Sequence, residues 1–340
     1  MTLDAAVAAV RLAVRRTLAE VGDVSVVVAC SGGADSLALL AATVFETRER
    51  SGARSRRVVG VTVDHGLQDG SAAHTERVVA QMVQLGADET GSVRVHVESA
   101  GRGTEAAARE ARYAVLEEIS GRLGAPVVLL GHTLDDQAET VLLGLARGSG
   151  GRSIAGMRAS YDGFRRPLLG IRRAQTEAAC AAEGIDVWTD PHNSDPRFTR
   201  SRVRHTVLPV LERELGPGVA ETLARTAEQL RPDMEALDRL ADVALAQHLT
   251  PHHPPHGDAG SGFDVREIAL LEPAIRTRML RLAALGAGCP SSELFAVHVG
   301  ALERQVHNRE LLPKQIQLPG HVTAYRHGHH LWFGPTTVES

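Results

Sequence analysis

Residues 24–36 read VSVVVACSGGADS, and this stretch decides the fold. Val24–Cys30 is an unbroken apolar, β-rich run, the pattern of a strand buried on both faces of a parallel sheet. A helical pattern, Ser36–Arg48, follows. Between them lies Cys30-Ser31-Gly32-Gly33-Ala34-Asp35-Ser36. Two glycines permit positive φ and close ligand approach. Successive N–H groups at a helix N-terminus favour an anion, and Ser31 and Ser36 add hydroxyls. Neither G-x-x-x-x-G-K-[ST] nor G-x-G-x-x-G is present, so the loop is neither a Walker loop nor a dinucleotide fingerprint. Asp35 inside a phosphate loop makes sense if Mg²⁺ sits between its carboxylate and the phosphates. A tight turn with Asp35 as a helix cap would use the same residues.

Working outward, strand and helix alternate. RVVGVTVD (Arg57–Asp64), VRVHVE (Val93–Glu98) and VVLL (Val127–Leu130) read as strands; Ser71–Leu85, Thr104–Leu123 and Leu134–Arg147 read as helices. This predicts an α/β fold with a doubly wound parallel sheet. Ligands then lie outside the carboxyl ends of the strands. After Gly148 the chain turns loop-rich and Arg-rich, with one helix over Arg173–Glu183. From His205 it reads helical to about Leu249, and further helices fill 264–306. The boundary is placed near 205–215: a catalytic domain over 1–210, then a smaller, mainly helical domain over 211–340. PHHPPHGDAGSG (251–262) reads as a flexible loop, and the tail as short strands.

The 340 residues carry a net charge of -4, so whole-chain charge gives no sign of nucleic acid. Residues 147–204, however, hold 11 Arg against six acidic residues. No apolar run reaches ~18 residues, which argues against a membrane span. Three scattered cysteines, Cys30, Cys180 and Cys289, argue against a disulfide scaffold and favour a reducing cytosol. The histidines at 252, 253, 256, 327, 329 and 330 lie among Pro and Gly, without rigid ligand spacing.

A second cluster follows VVLL. His132, Asp136 and Glu139 fall at i, i+4 and i+7, on one face of a helix, with Asp135 nearby. Carboxylates so close need cations: an ammonium, Mg²⁺, or both. An exposed helix start whose acids favour the dipole is the alternative.

The S-G-G-x-D-S loop resembles the PP-loop of the N-type ATP pyrophosphatases. Further stretches resemble the lysidine synthase family within that superfamily. They are Val63-Asp64-His65-Gly66-Leu67, the helix Glu105–Tyr113 (EAAAREARY), GHTLDDQAET (131–140) followed by Arg147-Gly148-Ser149-Gly150, Arg166-Pro167-Leu168-Leu169, and Asp190–Asn193. Two segments depart: RSRVR (200–204) stands for the family's R-N-x-x-R, and SIAGM (153–157) for G-L-x-G-M.

The resemblance implies an adenine nucleotide alpha hydrolase-like PP-loop domain. It implies a ligase that adenylates C2 of the wobble cytidine in the CAU-anticodon isoleucine tRNA and then attaches L-lysine. ATP is the co-substrate, with Mg²⁺ at Asp35. Ser31, Gly32, Gly33, Ala34, Asp35, Ser36, Asp64, His65 and Arg112 would contact the nucleotide. Asp35, His132 and Arg112 would carry the chemistry. Asp136 and Glu139, with Asp135, would bind lysine, and Arg200, Arg202 and Arg204 would track tRNA phosphates. The C-terminal domain would contact the tRNA, and the protein would be cytoplasmic. A 2-thiolation enzyme of the same superfamily would need paired cysteines, and a non-catalytic RNA-binding module would not need the acidic helix.

Overall fold

The computed structural model describes residues 3–48, 56–64, 71–95, 104–148, 150–188, 195–252, 260–308 and 314–336. Within these the chain divides into two units: Met1–Ala146 with Gly156–Thr226, and Arg147–Ala155 with Ala227–Ser340.

The first unit is built on a six-stranded sheet. Its strands are β1 (Val26–Ala29), β2 (Val58–Asp64), β3 (Glu89–Arg94), β4 (Val127–Leu130), β5 (Ser160–Tyr161) and β6 (Phe164–Arg165). The order is β3-β2-β1-β4-β6-β5, parallel except for β5. β1 alternates between two cores. Val26 and Val28 pack with α1 (Ala5–Val21), α2 (Ala34–Glu46), α3 (Ser71–Gln84) and α7 (Arg173–Ala182). Val27 packs with Leu116 of α4 (Thr104–Arg122), Leu130 and Phe164 on the other face. Two-sided burial is why β1 and β4 read as apolar runs. Leu37, Leu39 and Leu40 of α2 are fully buried, each contributing about 1.5–3 kcal/mol of hydrophobic stabilisation.

Two local expectations change. β3 covers Glu89–Arg94 rather than Val93–Glu98, and residues 96–98 lie outside the described set. It is an edge strand with a half-exposed face, so the apolar signal that marks central strands is weak there. The β5–β6 hairpin lies in a stretch read as loop, because two-residue strands carry no periodic signal.

The order β2-β1-β4 makes a topological switch point. The chain winds from β1 to β2 and β3, then returns to the other side of β1 with β4. The loops leaving β1 and β4 therefore flank one crevice. Gly131, just after β4, shows how closely they meet: a Cβ there would lie 3.1 Å from backbone atoms of Asp35 and Ser36.

In the first unit, α5 (Leu134–Ala146), α8 (Thr199–Arg202) and α9 (Leu208–Leu215) complete the elements near that crevice. The second unit holds the one-turn helix α6 (Gly151–Ile154) and a five-stranded antiparallel sheet, ordered β7-β8-β11-β10-β9. Its strands are β7 (Thr250–His252), β8 (Gly260–Asp264), β9 (Lys314–Leu318), β10 (Val322–His327) and β11 (His330–Pro335). Phe263, Ile268, Met279, Leu280, Leu302 and Leu331 form its core with the neighbouring helices. β7 and β8 pair where the sequence suggested a flexible loop over 251–262; residues 253–259 are outside the described set. The tail strands expected from the sequence are β9–β11. α10 spans Val219–His248. No helix among the described residues is long and apolar enough to cross a membrane.

Candidate functional site

The phosphate loop turns at Gly32, where φ is +83°. A side chain there would strike Val78 Cγ2 at 2.7 Å and His74 Cε1 at 3.0 Å, so only glycine fits. Ser36 fixes the turn: its hydroxyl accepts from Ser31 N–H (3.1 Å) and donates to the Gly33 carbonyl (2.9 Å). The outer side of the loop is tied down by carbonyls. Gly32 C=O accepts from Trp188 N–H at 3.2 Å, and Ser31 C=O lies 3.1 Å from His74 Nε2. The His74 and Trp188 rings lie 3.8 Å apart. With those carbonyls engaged outward, Gly33 begins α2 without a capping side chain. Ser36 N–H donates to the Gly33 carbonyl at 3.1 Å, whereas the amides of Ala34 and Asp35 have no carbonyl one turn back and remain donors for an anion.

Asp35 lies in that first turn. Its carboxylate takes a hydrogen bond from the Thr176 hydroxyl and faces Arg173 Nε at 3.3 Å. Burial pushes its pKa up to about 6, although Arg173 and Thr176 oppose this.

Across the crevice, Thr133 and Asp136 start α5 reciprocally. Asp136 Oδ2 accepts from Thr133 N–H (2.8 Å) and its hydroxyl (2.9 Å). This is a capping box written in T-L-D-D. Asp136 Oδ1 faces Arg173 Nη2 at 2.9 Å and Arg204 Nη2 at 3.1 Å. Burial works against its charge, but Arg173, Arg200 and the Thr133 amide outweigh it and hold the pKa down to about 2. Glu139 is 0% exposed and carries Arg204 Nε (2.6 Å), Arg200 Nε (2.8 Å) and Arg173 Nη1 (3.5 Å). The cations these carboxylates require are therefore guanidiniums of the chain itself.

Several expected residues take other places. His132 precedes α5 and does not share its helical face. Its Nδ1 accepts from Arg166 Nε at 3.2 Å, and Arg166 also donates to the Tyr113 hydroxyl at 3.2 Å. In the neutral ring the proton then lies on Nε2. Asp135 accepts from the Arg173 backbone N–H at 2.7 Å, at the start of α7, and from Arg172 Nε at 3.2 Å. It therefore anchors α7 by a charge–dipole contact. Arg200 and Arg204 turn inward onto Glu139, leaving Arg202 as the exposed member of the trio expected to track phosphates. The sequence pattern places charges but does not say which way a short helix turns them. Arg112 lies on α4 with an exposed side chain. Asp64 ends β2, buried, paired with Arg94 at 2.8 Å. His65 and Asp190–Asn193 lie outside the described residues.

Arg173 is the residue sequence reasoning missed. It begins α7 four residues after Arg166-Pro167-Leu168-Leu169, and it contacts carboxylates on both sides of the crevice. Its position as first residue of a helix that follows a strand-end motif is the available signal.

Beside Glu139, a cavity of about 140 Å³ is lined by Asp135, Glu139, Glu212, Arg172, Arg173 and Arg204 together with Leu208, Pro209 and Ala220; Asp136 lies outside this lining. Two cysteines back the phosphate loop: Cys180 Sγ donates to the Ala34 carbonyl at 3.4 Å and Cys30 Sγ to the Ser36 carbonyl at 3.9 Å. All three cysteines are free and buried, and burial pushes the Cys30 thiol up to about 12.

An amide-lined anion loop at a switch point, with no Walker lysine, defines a PP-loop nucleotide-binding domain. The family described as PP-loop domain matches residues 8–211, and the TilS substrate binding domain matches 263–332. The chain belongs to the tRNA(Ile)-lysidine synthase family. It is 51% identical over 322 residues to the tRNA(Ile)-lysidine synthase of Thermobifida fusca, covering 94% of this chain and 95% of that one. It is 50% identical over 306 residues to that of Streptomyces coelicolor, covering 89% and 83%. Among solved structures, the U34-tRNA thiolase of Methanococcus maripaludis, with its [4Fe-4S] cluster, aligns with a TM-score of 0.54 at 18% identity. The alignment covers 66% of this chain and 79% of that one, a likeness of fold.

Proposed function

We propose that this chain is the ligase that makes lysidine. It adenylates the C2 oxygen of the wobble cytidine in the isoleucine tRNA with a CAU anticodon. L-lysine then displaces AMP. The observation that carries the reading is the facing of two sites across one crevice: an anion loop and a buried pair, Asp136 and Glu139.

The C2 oxygen is a poor leaving group. Its attack on the α-phosphorus expels pyrophosphate and leaves an adenylated ring. The amides of Gly33, Ala34 and Asp35 hold the phosphates through this step, and Arg112 is the candidate to offset charge on the departing pyrophosphate. Asp35 fits Mg²⁺ as one half-buried carboxylate beside a phosphate site, since Mg²⁺ takes one or two protein carboxylates and fills its shell with phosphate and water. Bound there, Mg²⁺ would neutralise phosphate charge. His132, held by Arg166 through Nδ1, is the candidate to contact phosphate or the reacting base.

Asp136 and Glu139 suit the ammonium of lysine, and Leu208, Pro209 and Ala220 suit its aliphatic stem. Held down to about 2, Asp136 stays charged and acts as an anchor, not a base. The ε-amine must reach C2 unprotonated. The target base leaves its stack to enter the crevice. Arg202 and other arginines of 147–204 would hold tRNA phosphates, and the second unit would contact the tRNA. A thiolation reading has little to stand on, because the three cysteines are buried thiols.

The test is transfer of labelled lysine to the CAU-anticodon tRNA by the purified chain, with ATP and Mg²⁺. Incorporation dependent on all three supports the reading. AMP formation on another acceptor, with no lysine transferred, overturns it.

A further inference from the structure

Three carboxylates, Asp35, Asp136 and Glu139, meet three guanidiniums, Arg173, Arg200 and Arg204, at the crevice. Arg200 and Arg204 engage the α5 pair: each bonds Glu139 through Nε, at 2.8 and 2.6 Å. Among the described residues, Arg173 is the guanidinium that ion-pairs on both sides. It reaches Asp35 at 3.3 Å, Asp136 at 2.9 Å and Glu139 at 3.5 Å.

This balance sets a problem for each substrate alone. An ammonium entering beside Asp136 and Glu139 adds positive charge to a set already neutralised. A triphosphate entering at the loop adds negative charge beside Asp35. Buried charge without a partner is costly. Both mismatches vanish if one guanidinium changes partner, and Arg173 already lies between the two sites. Its backbone need not move, because the Arg173 N–H is held by Asp135 at 2.7 Å and Thr176, one turn on, holds Asp35. Only the flexible side chain has to turn.

We propose that Arg173 is a counter-ion shared by the two substrate sites: it passes from Asp136 and Glu139 to the nucleotide phosphates when ATP binds, and the carboxylates it leaves receive the ammonium of lysine. ATP and lysine therefore bind with positive coupling, and each tightens the other by the same factor. The proposal rests on the lysine pocket assigned above.

The test is calorimetric titration of the full chain with L-lysine, with and without Mg²⁺ and the α,β-methylene analogue of ATP, which cannot be cleaved between those phosphates. In the wild type the analogue should tighten lysine binding by about 5-fold or more. Titrating the analogue with and without lysine should give the same factor. In Arg173→Met the factor should collapse to about 1, and lysine alone should bind at least as tightly as to the wild type, because its competitor is gone. A residue that only supports the fold would weaken both substrates and leave the factor intact. Arg173→Lys, which keeps a charge on a flexible stem, should retain part of the coupling. Equal lysine affinity with and without the analogue in the wild type, with binding sensitive to Glu139→Gln, overturns the proposal and leaves the pocket standing. So does undiminished coupling in Arg173→Met. Lysine binding indifferent to Glu139→Gln, or absent in both states, overturns the pocket and the proposal together.

Discussion

At the scale of single residues, the crevice depends on carboxylates held in unlike electrostatic states. Asp136 keeps its charge well into acid, whereas burial lifts Asp35 to about 6. A carboxyl whose pKa is higher in the folded than in the unfolded chain favours folding while protonated. That contribution is full below about pH 4 and is lost as the pH rises through about 6. Relative to wild type, Asp35→Asn should gain a few °C in Tm between pH 4 and pH 7; parallel Tm curves across that range would show that Asp35 titrates normally. Glu139→Gln should raise the KM for lysine about tenfold or more, through loss of a charge-assisted contact, while the KM for ATP changes little. Steady-state kinetics in each substrate separates the two. Asp35, Asp136 and Glu139 were legible because acids placed beside an anion loop and a strand end need a reason. Their partners were not. Arg173, Arg200 and Arg204 come from 34 to 138 positions away along the chain, and no local spacing announces an ion pair of that span.

At the scale of elements, the loop's shape rests on packing behind it. Gly32→Ala forces a methyl group against Val78 and His74 at a positive φ. It should cost about 1–3 kcal/mol of stability and raise the KM for ATP more than that for lysine. Thermal melts and initial rates would read both. Gln137, buried on α5, accepts from Met157 N–H at 2.7 Å and donates to its carbonyl at 3.0 Å. Gln137→Ala should destabilise the chain by about 1–3 kcal/mol, measured by denaturant unfolding. Central elements showed themselves early. β1, β2 and β4 are apolar because both faces are covered, and α2 and α5 start on recognisable residues. β3 showed itself only at its end, displaced to 93–98, because an edge strand has a weak apolar signal. The β5–β6 hairpin and the β7–β8 pair did not show themselves, because two-residue strands leave no period to read and Pro and Gly at 251–262 imitate a loop.

At the scale of the molecule, net charge conceals function. The chain is slightly acidic, yet 147–204 carries five more basic than acidic residues. Part of that surplus is spent inside on Asp136 and Glu139, and Arg202 faces outward. Affinity for tRNA should therefore fall with salt, but less steeply than 11 phosphate-bound arginines would give. A filter-binding series in NaCl would read the slope, and one near zero would remove the segment from tRNA contact. The family match covers both ends of the chain, and the sequence carried that much through its motifs. It marked the tail strands β9–β11 of the second unit but not that β7 and β8 join them in one antiparallel sheet.

The buried thiols have a use of their own. Cys30 and Cys180 belong to the first unit and Cys289 to the second, and a thiol reagent reaches them only when the surrounding structure opens. Alkylation rates followed by mass spectrometry thus form a native clock with two dials, one for each half of the protein. Ticking at different speeds would mean that the halves come apart independently; a single speed would mean that they unfold as one.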